Sequence, residues 1–485
     1  MIKTKNDYEK IVSSLKKRKK AAAIADICAS TALPLEKVRE LLPKAADEYS
    51  GHLQVTEQGE ILYSFPDGFS SRYRGFYPAL KKVFRACSLG LKKTLVFLFK
   101  TWIVFTLIGY FIFFIVLALA SVFLSIASKS SDNRRSGSVY FGPNLFGIIW
   151  RIWFFSEITK PHYAQTKPVV RKEEKRPMHK AVFSFVFGDD DPNKDFTDDE
   201  DKAVIAYIQS NNGVINLTEF MAFKGINSLA AEREIISFCV RFGGSPEVTD
   251  EGAIVYRFDW LLMRADTRKF TELSPIIKRL KSFSINPKKS NISFACINAV
   301  NLVFGSYFLY HSLNTGLLIT ELQTQNASYL YAFTHFLLQI FSDNPVSIIM
   351  VVLGLVPVIF SIFFWLIPAV RGILLSRENE SIKLQNFKRL GYNKIWSSPQ
   401  KVIIKDFNAP ANECKPKSVE QAAEQCIKDI GAYSSPEVTA GEDGQICYSF
   451  NELESEKISL NKYRVNLDQN RGLLGKKIYD TSLAN

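Results

Sequence analysis

Two long stretches almost without charge constrain what this 485-residue chain can fold into. The first covers 95–127; the second covers 292–375 in three pieces, 292–318, 329–341 and 346–375. About 20 apolar residues cross the hydrocarbon of a bilayer as a helix, so these blocks predict spans. The first is too long for one ordinary span and has no polar turn. It reads as a tight hairpin bending near Gly109-Tyr110, with one long tilted helix as the alternative. A hairpin keeps Arg134 and Arg135 on the same side as the other basic flanks, and Lys100 lies close enough to the block's end to snorkel. The piece 140–155, with Pro143, Gly147, Arg151 and two Trp, reads as an interfacial helix. In the second block the outer pieces are long enough to cross. The middle one carries His335 and Gln339 and reads as interfacial or re-entrant. The fold class expected is an α-helical membrane protein with about four spans in two blocks, carrying three α+β winged-helix-like cytoplasmic modules.

The formal net charge of +13 collects beside these blocks, at Lys81, Lys82, Arg85, Lys92 and Lys93, at 167–180, at 278–289 and at 371–389. Lys and Arg in those places match the positive-inside rule and an anionic lipid surface better than a nucleic-acid patch. They place 1–93, 156–290 and 376–485 on the cytoplasmic side of a bacterial inner membrane, with both termini inside. The first 20 residues have no apolar core, so no cleavable signal is expected. Seven cysteines occur without a CxxC pair, and neither a disulfide framework nor a zinc site is expected.

The chain then divides into a first module (1–75), a basic segment (76–93), membrane block one (94–128) and an interfacial helix with a basic linker (129–180). A second module (181–265), a basic linker (266–290), membrane block two (291–375) and a third, shortened module with its tail (376–485) follow.

The modules rest on a pattern that occurs three times. Val55-Thr56, a turn with Gly59, and Ile61-Leu62-Tyr63-Ser64-Phe65 form the first copy. Val248-Thr249, Gly252 and Ile254-Val255-Tyr256-Arg257-Phe258 form the second. Val438-Thr439, a longer turn ending at Gly444, and Ile446-Cys447-Tyr448-Ser449-Phe450 form the third. Each predicts a β-hairpin ending in two aromatics spaced by two, with Ile61, Tyr63 and Phe65 on one face. Helices over 21–30 and 35–49 precede the first hairpin, helices over 199–211, 217–223 and 228–242 the second, and one helix over 418–432 the third. Helices followed by a hairpin are the winged-helix arrangement. In a DNA-binding winged helix, the helix before the hairpin enters the major groove and needs a basic excess. Here Lys37, Arg39 and Lys44 are matched by Glu36, Glu40, Asp47 and Glu48, and the other two copies are neutral or acidic. A protein-contact role fits better than nucleic acid.

The segment 181–193, AVFSFVFGDDDPN, follows a membrane block and precedes a helix and the hairpin GAIVYRF. With ILYSFPDGF at 61–69, it resembles an uncharacterised family of multi-pass membrane proteins of cyanobacteria and plastids, in which an FGDxDPN segment and similar hairpins recur in this order. Asp190 stands where the family pattern has Gly. Plastid members sometimes carry an iron–sulfur cluster biosynthesis label, a chemistry that needs clustered thiolates, which this chain lacks. The resemblance implies an architecture and no mechanism.

Gly188, Asp189, Asp191, Pro192 and Asn193 form the core of a dense carboxylate cluster. A Ca²⁺ or Mg²⁺ loop would use such oxygens, but the EF-hand order is absent. An Asp-Pro turn leading into a helix capped by Thr197, with Glu200 three residues on, accounts for it. Asn298, Asn301 and His311 are polar groups within a predicted span, either binding a substrate or tying helices together. No nucleotide-binding or nucleophile motif appears, so no enzyme and no cofactor are expected. The leading reading is a membrane-anchored scaffold presenting its modules to protein partners or to each other, with Tyr63, Phe65, Tyr256, Phe258, Tyr448 and Phe450 as contact candidates. A transporter or channel regulated by those modules and a membrane-tethered DNA-binding regulator are the alternatives.

Overall fold

The computed structural model describes residues 2–18, 20–66, 68–69, 76–129, 176–265, 272–314, 329–440, 445–468 and 472–481, with the backbone alone for 2–6, 76–93 and 124–129. The chain forms two compact units. One gathers Met1–Phe84, Asp191–Lys281 and Ser376–Asn485; the other gathers Arg85–Asp190 and Ser282–Leu375.

The first is an α/β unit whose described strands form three three-stranded sheets. In chain order these strands are β1 (His52–Thr56), β2 (Ile61–Ser64), β3 (Val214–Ile215), β4 (Ser245–Val248), β5 (Ile254–Arg257), β6 (Val402–Ile403), β7 (Glu437–Ala440), β8 (Ile446–Ser449) and β9 (Lys477–Asp480). The sheet orders are β2-β1-β9, β3-β5-β4 and β6-β8-β7. Each recurring segment is an antiparallel hairpin, with Val55 opposite Ile61, Val248 opposite Ile254 and Ala440 opposite Ile446. Gly59 and Gly252 take positive φ at the first two turns, a conformation a Cβ would strain. The tyrosine of each hairpin pairs outward with a residue that lies before the nearest helices: Tyr63 with Ala22, Tyr256 with Ile215, which follows Phe196–Ser210 and precedes Leu217–Lys224, and Tyr448 with Val402.

Helices Ile24–Thr31 and Leu35–Glu48 precede the first hairpin, Phe196–Ser210, Leu217–Lys224 and Ser228–Phe242 the second, and Val419–Gly431 the third. Their starts follow from local chemistry. Asn216 caps one helix with a reciprocal Glu219 bond, while Asn227 and Ser418 accept from the backbone three residues on. Thr197 is not a cap. The helix starts at Phe196, because that ring is buried beneath Lys278 and Arg389, which pulls it into the first turn. The helix Ile2–Lys17 presents Tyr8, Ile11, Val12 and Leu15 as one apolar stripe, and Asn451–Asn466 buries Leu453 and Leu460; both pack in the same core.

That core is continuous. One cluster of buried side chains joins Leu42 and Tyr63 to Phe238 and Phe258, and to Tyr392, Ile430 and Phe450. The three modules, which read as separate along the chain, therefore share one interior. Strict alternation does not hold at the hairpins. Leu62 and Tyr63 are both buried while Ile61 at the tip is 38 % exposed, because the short strand is covered on both faces.

The second unit is helical. Three helices among the described residues are long and apolar enough to cross a membrane: Thr94–Phe123, Lys288–Leu313 and Pro345–Ser397. The expected bend at Gly109-Tyr110 does not form. Phe76–Lys129 is one uninterrupted helix, so the first block contributes one candidate span rather than two. The cause is local, since no proline or polar turn interrupts the backbone ladder, and a lone glycine costs a helix only about 1 kcal/mol. Tyr110 instead donates its hydroxyl to the carbonyl of Val352, 2.9 Å away. Phe114 stacks on Phe304 and Phe308, and Gly354 lets the backbone of Leu309 approach to within van der Waals contact. Lys100 lies over the ring of Phe183 at 4.0 Å. The middle piece forms the short helix Tyr329–Gln339. The expected interfacial element 140–155 lies outside the described residues.

Candidate functional site

The aromatic strand ends are interior. Phe258 and Phe450 are fully buried, Tyr63 and Tyr256 nearly so, and Tyr448 is half-buried. Phe258 meets Phe238 edge-on at 5.7 Å, and Gly244 gives it room, since a Cβ there would sit 2.3 Å from the ring. Phe65 stacks on Phe69 at 4.8 Å. Tyr63, Tyr256, Phe258 and Phe450 thus pack inside the modules, while Phe65 and Tyr448 are half-buried.

The acidic loop is an anchor. Gly188 has φ +88° and ends the helix Met178–Phe187. Asp189 accepts from Ser184 Oγ (2.6 Å), the Ile285 amide (2.8 Å) and Arg176 (2.9 Å). Burial raises the Asp189 carboxyl, and those three donors outweigh it, holding the group below the usual carboxylate range. Asp191 turns to other partners, Lys281 Nζ at 2.8 Å and the Asn193 amide at 2.9 Å. The hydrogen bond from Lys281 lowers its carboxyl as well. Pro192 is exposed between them. Among the described residues no group of three or more His, Cys, Asp or Glu could hold a metal ion.

Within the helical unit, Asn298 and Asn301 are fully buried. Asn298 Nδ2 donates to the carbonyl of Ser361 (3.2 Å) and Asn301 Nδ2 to that of Leu107 (2.7 Å), so one helix is tied to each of its two long neighbours. His311 sits among the rings of Tyr307, Tyr310 and Tyr331.

Two arrangements escaped the sequence reading. The first is an asparagine ladder in the α/β unit. Asn379, Asn386 and Asn393, seven residues apart on the helix Val356–Ser397, grip an extended basic strap. Asn379 accepts from and donates to the backbone of Lys281 (2.9 and 2.9 Å), Asn386 does the same to Lys278 (2.9 and 2.8 Å), and Asn393 donates to Leu273 (3.1 Å). Asn193, from the acidic loop, pairs in the same two-point way with Arg279 at 2.9 and 2.8 Å. The first step has a physical basis: seven helical residues rise about 10.5 Å, close to the three residues of extended chain from Lys281 to Lys278, whereas the second step takes five residues, from Lys278 to Leu273. The signal was visible as asparagine at heptad spacing on a charged helix, but the strap has no pattern of its own.

The second is a buried charge cluster. Arg389, 1 % exposed, donates to the Phe223 carbonyl (2.9 Å), to Glu200 (2.6 Å) and to Asn386 Oδ1 (3.2 Å). Lys224 lies 3.1 Å from Glu200, 2.7 Å from Asp201 and 3.0 Å from Glu234.

A further cleft of about 270 Å³ is lined by Tyr207, Glu219, Trp396, Lys457 and Arg464. Within it Arg464 donates to Glu219 and Lys457 to the Ser397 carbonyl. Nearby, Glu456 accepts from Asn216 (3.0 Å) and Tyr433 (2.8 Å). Burial raises its carboxyl above the usual range despite these bonds. An acid whose folded-state pKa is raised binds more protons folded than unfolded, so its contribution is lost as pH climbs from the unfolded to the folded value. Glu456→Gln is therefore expected to raise the melting temperature at pH 8, with the gain vanishing toward pH 4; a thermal melt series across that range checks it.

The chain is 25% identical over 413 residues to the uncharacterised chloroplastic protein At5g03900 of Arabidopsis thaliana, covering 78% of this chain and 70% of that protein. No protein-family model matches the chain, and no solved structure matches it.

Proposed function

We propose that this protein is a membrane-anchored interaction scaffold whose three winged-helix-like modules fuse into one body and offer the helix Ser228–Phe242 to a protein partner. The observation that carries this reading is the outer face of that helix, where Leu229, Ile236 and Val240 are 59 %, 58 % and 79 % exposed. They recur at the spacing of one helical stripe. In a winged helix this is the element aimed at the target, and an apolar stripe there suits a protein surface rather than phosphates. The basic groups of the corresponding first-module helix are engaged, Lys37 by Asp7 (2.7 Å), Lys44 by Glu40 (2.6 Å) and Arg39 by Glu36 (3.2 Å) and the Trp260 ring. This argues against the DNA-binding alternative.

A shared core also bears on topology. Residues 1–84, 191–281 and 376–485 pack together, which supports a multi-pass arrangement with all three on the basic, inner face; with one candidate span described between 84 and 191, Thr94–Phe123, that reading requires an even number of crossings between those residues. The chloroplastic relative and the FGDxDPN segment favour the plastid and cyanobacterial family of the sequence reading.

A photo-crosslinking residue placed at Ile236 in native membranes tests the scaffold reading. The expected result is a discrete protein adduct that disappears with Val240→Asp. Adducts to lipid alone, or salt-sensitive DNA binding by the purified protein, would overturn it.

A further inference from the structure

Four elements of the α/β unit wall the cleft of about 270 Å³. The helix Asn451–Asn466 supplies Lys457, Asn461 and Arg464, whose spacing sets them on one face. Tyr207 lies in the last turn of Phe196–Ser210, and Asn211 caps that helix. The helix Val356–Ser397 adds Trp396 near its end, and the strap adds Glu272 and Leu273. This part of the strap is held in place. Asn393 donates to the Leu273 carbonyl at 3.1 Å, and the Ser274 amide to the Glu272 carbonyl at 2.8 Å.

The charges that line this space do not all cancel within it. Arg464 and Glu219 do, since the guanidinium donates to both carboxylate oxygens, at 3.0 and 2.6 Å. The Lys457 ammonium reaches only a neutral group, the Ser397 carbonyl at 2.9 Å, and pairs with no carboxylate among the described residues. Glu272 is exposed, and among the described residues its carboxylate has no hydrogen-bond or ion-pair partner. One cation and one anion therefore line the same cleft without meeting. The amides beside them are also available. Asn211 donates both its N–H groups internally, to the Tyr207 carbonyl (2.9 Å) and to Ser210 Oγ (3.2 Å), which leaves its Oδ1 as an acceptor. Asn461, one turn from Lys457, is exposed.

We infer that this cleft binds a free α-amino acid with an apolar side chain. Such a zwitterion carries both missing charges on one carbon. Its carboxylate meets Lys457 and the Asn461 amide, and its ammonium meets Glu272 and Asn211 Oδ1, all charge-assisted hydrogen bonds. The side chain lies along Leu273, Trp396 and Tyr207. A ligand of one sign is disfavoured, because an anion meets Glu272 and a cation meets Lys457. The volume suits a small occupant, being below the roughly 300–1,000 Å³ of sites for drug-sized ligands.

Isothermal titration of the full-length protein in detergent with leucine and phenylalanine tests this. Leucinamide lacks the carboxylate and N-acetylleucine lacks the ammonium. Each is expected to bind about ten- to a hundredfold more weakly than leucine, the loss of one charged hydrogen bond. Lys457→Met and Glu272→Gln are expected to weaken leucine binding by a similar factor. Neither side chain is buried, so the melting curve is expected to stay where it is. Lys457→Met is further expected to erase the preference for leucine over leucinamide, and Glu272→Gln the preference over N-acetylleucine. A merely structural role would move neither preference. No saturable binding of any apolar amino acid at millimolar concentration would overturn the inference. Equal binding of leucine and both derivatives, acetate binding as tightly as leucine, or variants that bind like wild type would do the same. Val240→Asp leaves this cleft untouched, so the outcome is independent of the scaffold reading.

Discussion

Arg389→Met is expected to destabilise the α/β unit by about 3–5 kcal/mol, the range seen when one member of a buried ion pair is removed. Arg389 is 1 % exposed and its three bonds lead to three different elements: the Phe223 carbonyl, Glu200 and Asn386. Without the guanidinium, the carbonyl is left buried and unpaired and Glu200 keeps only Lys224. Arg389→Lys retains the charge but not the fork, so a single ammonium cannot reach all three acceptors and most of the loss is expected to remain. Arg389→Met/Glu200→Gln is expected to recover part of it, because both charges leave together. Denaturant melts of the purified full-length protein, followed by tryptophan fluorescence, check the series as a double-mutant cycle. A single variant within about 1 kcal/mol of wild type would show that the cluster is dispensable.

Asn386→Ala is expected to cost about 2–4 kcal/mol and to loosen the strap, as its amide satisfies both the N–H and the C=O of Lys278 and also the Glu413 carbonyl. Asn386→Asp sharpens the test. A carboxylate still accepts from the Lys278 amide but cannot donate to either carbonyl, so it is expected to fail nearly as badly as alanine. Asn379→Ala, nearer one end of the ladder, is expected to cost less. Hydrogen exchange at the amides of 278–281 gives a direct readout: protection should fall in Asn386→Asp while the amides of Ser228–Phe242 stay protected. Uniform loss across the unit would mean that the ladder holds the whole unit rather than the strap.

Much of the α/β unit was legible along the chain because its signals are local. A glycine turn between alternating residues announces a hairpin whatever surrounds it, and Gly59 and Gly252 do adopt the required positive φ. Helices read over 217–223 and 228–242 form as Leu217–Lys224 and Ser228–Phe242, each capped by an asparagine immediately before it. The candidate sites fared differently. An aromatic at a strand end reads equally well as contact surface or as core, and only the burial of Phe258 and Phe450 separates the two. The acidic run looked like one cluster, yet Asp189 and Asp191 serve different partners 90 or more residues away in sequence. A carboxylate spacing carries no information about which distant donors will meet it.

Charge and hydropathy alone determined that this chain has apolar helices of membrane-crossing length bordered by lysine and arginine, and that hairpins close beside helices three times. Those features depend on transfer energy and backbone conformation, which neighbours in sequence largely set. The tertiary structure decided that Phe76–Lys129 runs straight on, that three separate segments share one core, and that an unpatterned strap lies along a row of asparagines. Each depends on groups far apart in the chain meeting at hydrogen-bonding distance, and a pairing of that kind leaves no periodicity for one sequence to display.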